Sequence, residues 1–198
     1  MPRLRLKDHL VIAGGILLIA VFTLALIASP ARAQTTANGP YYATPSWDQT
    51  LPSNSRFIVL TNMNSAAVLD RETGLVWEKS PTTTLFEWSS ASAPAAADHC
   101  NGLTTGNRKG WRLPTIQELA SLVDPTQSPS LPSGHPFTNV SFNSFYWSAT
   151  TANFNTAFAW NILFDSGGVE NIDPKGGGTV FSFNSVWCVR GGSGVDIQ

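Results

Sequence analysis

The stretch GWRLPTIQELASLVD, residues 110–124, combines the end of a strand with the start of a helix. Thr115 is a suitable N-cap, and Glu118 stands where the carboxylate of a capping box reaches back to the Thr115 amide. Pro114 ends the strand before this cap, and Asp124-Pro125 is a suitable end for the helix. The apolar residues between them repeat at helical spacing, which predicts one face packed on a core: Ile116, Leu119, Ala120 and Val123.

The first 33 residues have the composition of an export signal. Basic residues at positions 3, 5 and 7 precede an uncharged run over 10–28, and Ala31-Arg32-Ala33 provides a cleavage signal before Gln34. The uncharged run of about 19 residues is also just long enough to span a bilayer. Residues 1–33 are therefore predicted to be a signal peptide or, alternatively, an uncleaved membrane anchor. In both cases the rest of the chain is expected to be secreted, periplasmic or at the cell surface.

The charge of the remaining chain disfavours an anionic partner. Without the four basic residues and one acidic residue of the first 33, 8 of the 12 basic and 12 of the 13 acidic residues remain, a net charge of −4. No nucleic acid is therefore expected as a partner. The roughly 165 remaining residues fit one domain with a single core. Seven Trp and 11 Phe in the chain indicate that aromatic packing dominates that core.

The domain organisation follows from the turn residues and the apolar periods. Residues 34–55 lack an apolar period and are predicted to be a flexible linker, residues 56–192 the folded domain, and residues 193–198 a flexible tail. Within the domain we predict a first hairpin with Gly74 in its turn, a first helix over 93–103 capped by Ser92, and the helix of the 110–124 stretch. The predicted strands are 57–61, 67–70, 75–79, 145–149, 157–164 and 186–190. Two helices followed by a small antiparallel sheet indicate an α+β fold.

Cys100 and Cys188 are the only cysteines. In an exported protein an even pair is more often a disulfide than a thiol site. The bridge would join the first helix to the last strand, and the chain-entropy model gives such a long loop roughly 4 to 5 kcal/mol at most.

Six blocks of sequence follow one another along the chain: LDRETGLVWEK (69–79), AAADHCNGL (95–103), the 110–124 stretch, FYWSAT (145–150), AWNILFDSGGV (159–169) and VWCVRGG (186–192). In this order they resemble the Lcl C-terminal domain family, a domain of unknown function, over residues 68–192. The resemblance implies a variant of the C-type lectin-like fold, with two helices packed on small antiparallel sheets. It also implies one disulfide between the first helix and the last strand, where Cys100 and Cys188 stand. The RLPT block is also similar to formylglycine-generating enzymes, which need a second cysteine near the chain end that is absent here.

No catalytic residue is predicted. Asp165-Ser166-Gly167-Gly168 and the block around His99 look like the Ser and His blocks of trypsin-like proteases. Phe164 occupies the position where such an enzyme needs a glycine for its oxyanion hole, and His99 lies inside a predicted helix. The run 165–168 is instead predicted to be a polar hairpin turn.

No cofactor and no metal site is predicted. His99 and His135 are the only histidines after residue 33, and two bridged cysteines leave no four-ligand zinc set. An oxygen-rich loop leaves two alternatives open, a calcium site or a solvated acidic loop: Asp165, Glu170, Asn171 and Asp173.

Most of the aromatic residues are predicted to be core. Trp77, Trp111, Trp147 and Trp187 lie inside strand blocks, and Arg112 is expected to pair with Glu118. Phe154 differs, because it stands between two asparagines in a loop between strands, where a ring either stacks on a ligand or folds back onto its own domain. The loops 150–156 and 166–178 are therefore predicted to form the ligand surface, with these binding residues: Asn153, Phe154, Asn155, Asn171 and Asp173.

These features together predict an exported, non-catalytic binding module of the adhesion type. The family resemblance implies a glycan, a sulfated polysaccharide or another cell-surface ligand, and the negative charge disfavours the sulfated choice. The alternative is a structural or assembly subunit of a surface structure, and an enzyme related to formylglycine-generating enzymes is less favoured. Membrane contact is expected only through an uncleaved N-terminal segment.

Overall fold

A five-stranded antiparallel sheet joins the beginning of the domain to its end. It is seen in a computed structural model that describes residues 51–91, 94–169, 172–179 and 182–191. In spatial order its strands are β1 (Phe57–Val59), β2 (Ala67–Asp70), β3 (Val76–Glu78), β10 (Val189–Arg190) and β5 (Trp111–Arg112). The predicted last strand, 186–190, is shorter than expected, and it lies in this sheet because Val189 is opposite both Trp77 and Arg112. An alternating pattern shows which side chains share a face, but it does not show which strand is the neighbour.

Two smaller antiparallel sheets carry the rest of the β structure. One contains β6 (Phe145–Thr151), β7 (Phe158–Leu163) and β8 (Ile172–Pro174), in that order. The other pairs β4 (Phe86–Glu87) with β9 (Phe183–Asn184). Ser185, directly after β9, forms a parallel bridge to Tyr146. The two small sheets therefore meet along β6.

Within the described residues the α-helices are short: α1 (Ser53–Arg56) precedes β1, and α2 (Ala96–Gly102) and α3 (Ile116–Ala120) lie between strands. The capping box is confirmed, because Thr115 Oγ1 accepts from the Glu118 amide at 3.2 Å and Glu118 Oε2 accepts from the Thr115 amide at 2.9 Å. Helix α3 ends before residue 124. The Leu122 amide donates to the Leu119 carbonyl, three residues back, so the chain tightens into a turn there.

Several boundaries differ from the prediction. Helix α1 begins inside the segment 34–55 that was expected to be a linker, and the Leu51 amide of the same segment donates to Glu72 Oε1 at 2.5 Å. Helix α2 begins at Ala96, where Asp98 Oδ2 accepts from the Ala95 amide, rather than at residue 93. Strand β1 ends at Val59 because a 3-10 helix follows at Thr61–Met63. The turn before β3 contains Gly74 with φ +71°, as predicted.

The core consists of two aromatic clusters, and all four tryptophans that were predicted to be core are buried. Trp187 is at the centre of the first cluster, with the rings of Trp77, Phe137, Tyr146 and Phe164 between 4.8 and 5.8 Å from it. The second cluster contains Trp111, Trp147 and the disulfide between Cys100 and Cys188, which is confirmed. This bond ties α2 to the residue before β10.

Strand β7 is covered on both faces. Ile162 packs in the first cluster and Ala159 in the second, and Asn161 is also fully buried. Strand β7 therefore lies between the two clusters and contributes side chains to both.

Parts of the predicted organisation lie outside the described residues: the signal or anchor segment 1–33, most of the linker, the tail, Ser92 and Ala93. In the part of the chain that the structure describes, no helix is both long and apolar enough to cross a bilayer.

Candidate ligand-binding groove

Asp173 on β8 is held by two buried asparagines. Asn161 Nδ2 donates to Asp173 Oδ2 at 2.6 Å, and Asn184 Nδ2 donates to the same oxygen at 2.7 Å. The strand register brings these groups together: Asp173 lies opposite Ala159, so it shares a face with Asn161 two residues further along β7. We call Asn161, Asp173 and Asn184 the amide–carboxylate cluster.

The cluster retains unused acceptors. Both amides donate to Asp173 Oδ2, and no donor among the described residues reaches Asp173 Oδ1. The Asn161 Oδ1 atom is buried and also has no hydrogen-bond partner within those residues. A buried acceptor without a donor costs about 1–3 kcal/mol. Asp173 is partly exposed whereas Asn161 is fully buried, so Asp173 Oδ1 is the acceptor of this cluster that another molecule can reach.

Asp173 and Asn184 line a groove of about 210 Å³ that we call the Phe183 groove. Its lining also includes Leu85, Asn143, Ser144, Phe145 and Phe183. The Phe183 side chain is 40% exposed and that of Leu85 is 46% exposed. Exposed apolar side chains of this size next to fixed polar groups are typical of ligand sites.

A wider and more open groove adjoins the first one and shares Phe183. Its volume is about 750 Å³, and we call it the glycine groove. It is lined by Glu87, Ser89, Ser90, Ala91, Gly176, Gly177, Gly178 and Phe183. Gly176 approaches the segment after β4 so closely that a Cβ atom would lie 2.8 Å from the Ser89 carbonyl oxygen. Glu87 Oε1 accepts from the Gly178 amide at 2.9 Å, and this hydrogen bond holds the end of the loop that contains Gly176, Gly177 and Gly178.

Lys175 is close to Asp173 in sequence, but its ammonium group contacts Trp88 and Thr151. Its Nζ atom lies 4.1 Å from the centre of the Trp88 ring and donates to Thr151 Oγ1 at 2.7 Å. Desolvation lowers the pKa of Lys175. Lys175 lines neither groove, and the described lining residues of both grooves include no Lys, Arg or His.

The family model of the Lcl C-terminal domain matches residues 66–190, well over half of the 198-residue chain. The chain belongs to the Lcl C-terminal domain family. The resemblance seen in the sequence blocks is thereby confirmed, and all residues of both grooves lie inside the matched range. A search of curated proteins found no match to this chain.

This Lcl C-terminal domain divides the predicted ligand residues between two places. Phe154 is 64% exposed, as expected, and its neighbour Asn155 accepts from the Ala157 amide through Oδ1 at 3.0 Å. Asn153, Phe154 and Asn155 line neither groove, whereas Asp173 lines the Phe183 groove. Asn171 lies outside the described residues. The ligand-binding role of all five residues stays a prediction.

Most residues of the Phe183 groove were not predicted to be site residues from the sequence. They come from segments around positions 85, 143–145 and 183–184, which are distant in the chain and meet only through strand pairing. One signal was available, since Phe183 stands next to Asn184 in the same way that Phe154 stands next to Asn153 and Asn155. The same pattern, an aromatic residue beside an asparagine, therefore indicates a ligand-stacking ring at Phe183 as well as at Phe154.

The residues that were considered for a serine–histidine pair and for a metal site have structural roles or lie apart. Residues 165–168 form the predicted turn, in which Gly167 donates to the Leu163 carbonyl at 2.8 Å and Ser166 Oγ accepts from the Gly168 amide. The His99 ring lies 4.5 Å from that of Phe86, and burial lowers the pKa of His99. Over the described segments, no three His, Cys, Asp or Glu side chains form a metal-sized group. The calcium alternative also involves Glu170 and Asn171, which lie outside those segments.

Proposed function

We propose that this Lcl C-terminal domain is an exported, non-catalytic module that binds an extracellular glycan in the Phe183 groove. The observation that carries the proposal is the Asp173 carboxylate, fixed by two asparagine amides beside an exposed phenylalanine ring. Sugars present hydroxyl donors at their edges and C–H groups on their faces. A fixed acceptor next to a flat ring complements both features.

The size and lining of the groove support a sugar rather than a larger apolar ligand. A volume of about 210 Å³ is below the roughly 300–1,000 Å³ of pockets for drug-sized molecules. It suits a single sugar ring, and the glycine groove would take the next units of a chain. Asn143 and Ser144 add groups that both donate and accept hydrogen bonds, as hydroxyl groups require.

The disulfide supports export and the lectin-like assignment. A disulfide buried in the core is typical of proteins in oxidising compartments, which agrees with the N-terminal sequence pattern. We further infer that the fold is a variant of the C-type lectin-like fold. Its support is the bond from α2 to the residue before β10, together with the small antiparallel sheets.

The proposal is tested with a glycan array and two matched phenylalanine variants. Phe183→Ala should weaken glycan binding by about 1–3 kcal/mol, the loss expected for a ring at the centre of a binding site. This proposal differs from the prediction made from the sequence in leaving Phe154 out of the site, because that more exposed ring lines neither groove. Phe154→Ala should therefore leave the affinity unchanged. Phe154→Ala should keep the wild-type melting temperature because this side chain is 64% exposed. Phe183→Ala should lower it slightly, because Phe183 is only 40% exposed, so its binding is measured at a temperature where circular dichroism shows the variant folded.

The reverse result, with binding lost only in Phe154→Ala, would place the site on the 152–157 turn. If wild type binds no glycan on the array, the proposed function is wrong. A structural or assembly role then becomes the better explanation.

A further inference from the structure

The described lining of the Phe183 groove contains a negatively charged side chain and no positively charged one. Asp173 lines it, and Glu87 lies opposite Phe183 in the pairing of β4 with β9. The nearest cation in sequence, Lys175, contacts Trp88 and Thr151 instead. An anionic group that entered the groove would therefore meet a carboxylate without finding a counterion among the described lining residues.

The free oxygen of Asp173 restricts the ligand further. A carboxylate only accepts hydrogen bonds, and the amides of Asn161 and Asn184 already bind Oδ2. A group that approaches Oδ1 must be a donor, either a hydroxyl or an ammonium. Sulfate and carboxylate oxygens are acceptors, so they would meet Oδ1 with both like charge and an unmade hydrogen bond.

An ammonium group fits this environment better than a hydroxyl group does. Its hydrogen bond to a carboxylate is charge-assisted and stronger than that of a neutral donor. The exposed Phe183 ring beside the cluster offers a face to which a cation is also attracted.

We propose that Asp173 makes the groove select glycans by charge, so that amino sugars bind most tightly, neutral sugars less tightly, and sulfated or uronic sugars are excluded. This inference rests on the proposed glycan-binding function. It differs from the sulfated polysaccharides that the family resemblance implies, because it is drawn from the charges of this groove.

The test uses three tetrasaccharides with one β-1,4-linked glucosamine backbone: the free amine, the N-acetylated form and the N-sulfated form. Calorimetric titration of the full-length chain should show affinity falling in that order. The amine should bind about tenfold more tightly than the N-acetylated form, as expected for one charge-assisted hydrogen bond. Binding of the N-sulfated form should be too weak to measure.

Asp173→Asn removes the charge but keeps an oxygen that accepts from Asn161 and Asn184. We expect the preference for the amine to fall by about tenfold and the N-sulfated form to become measurable. Glu87→Gln provides a second variant at the other side of Phe183, and it should reduce the same preference by a smaller factor. Asp124→Asn is the matched control, because it changes the net charge equally, lines neither groove and keeps the oxygen that accepts from Thr126.

Three results would overturn this inference: tightest binding of the N-sulfated form to wild type, equal loss of preference in Asp124→Asn, or no binding of any of the three tetrasaccharides. The proposed function is judged separately by the array and by Phe183→Ala. A sulfated glycan that binds wild type and is lost in Phe183→Ala would keep the glycan site and reject selection by charge.

Discussion

At the scale of single residues, the carboxylate of Glu118 binds both the cap residue of its own helix and an arginine on the preceding strand. It accepts from the Thr115 amide, and its two oxygens accept from Arg112 Nη1 and Nη2 at 2.7 and 2.6 Å. Arg112 Nη2 also donates to the Gly191 carbonyl at 2.6 Å. The expected pair of Arg112 with Glu118 is therefore confirmed. It was predictable because both partners and the cap lie within seven consecutive residues, where local geometry decides the contact.

The cap itself is open to a direct measurement. Thr115→Ala removes the side-chain oxygen that accepts from the Glu118 amide, and it should lower the free energy of unfolding by about 1 kcal/mol. Denaturant titration of the purified protein measures the change. Thr83→Ala is the control, because Thr83 is exposed and its replacement should leave stability within about 0.5 kcal/mol of wild type. Equal stability of Thr115→Ala and wild type would contradict the role of the cap.

At the scale of secondary-structure elements, burial of the tryptophans was predictable and the pairing of the strands was not. Trp77 and Trp187 stand in apolar strand blocks, and both are fully buried. The neighbours of β10 come from segments about 80 and 110 residues earlier in the chain, so no local pattern indicates them. The Phe183 groove was missed for the same reason, because its walls exist only once β9 lies beside β4 and β6.

The contact between β3 and β10 contains a buried acid. Glu78 accepts from the Cys188 amide at 3.3 Å and from Thr105 Oγ1 at 3.2 Å. Burial raises the pKa of Glu78, more than these two hydrogen bonds lower it. The folded state therefore holds this proton more tightly than the unfolded state does. As the pH rises from the ordinary glutamate pKa through the raised pKa, this group makes unfolding easier.

Glu78→Gln should remove this pH dependence. An uncharged amide carries no penalty for burial of charge, and its oxygen still accepts from Cys188 while Thr105 accepts from its nitrogen. We expect the stability of the variant relative to wild type to increase with pH across that window, by at most about 1.4 kcal/mol per pH unit. Unfolding curves of both proteins at several pH values between 4 and 8 provide the measurement. A difference that stays constant with pH would show that Glu78 does not titrate differently in the folded state.

At the scale of the whole molecule, the disulfide connects two segments that are 88 residues apart in the chain. It lies in the second aromatic cluster, between α2 and the residue before β10, an interior strand of the main sheet. Removing it in Cys100→Ala/Cys188→Ala should lower the free energy of unfolding by roughly 4 kcal/mol or less, chiefly because the unfolded chain gains freedom. Denaturant titration of this variant, with oxidised and reduced wild type for comparison, measures the loss. A variant as stable as the oxidised protein would contradict this account.

The position of β10 has a consequence for how the protein is made. It is the last of the described strands along the chain, yet it lies in the interior of the main sheet, between β3 and β5. A nascent chain that has not yet been synthesised to residue 190 lacks the strand that joins the two sides of this sheet. Folding of the sheet must therefore wait for translation of nearly the whole domain. Until then β5 has no partner strand in this sheet, and β3 has one edge without a neighbour.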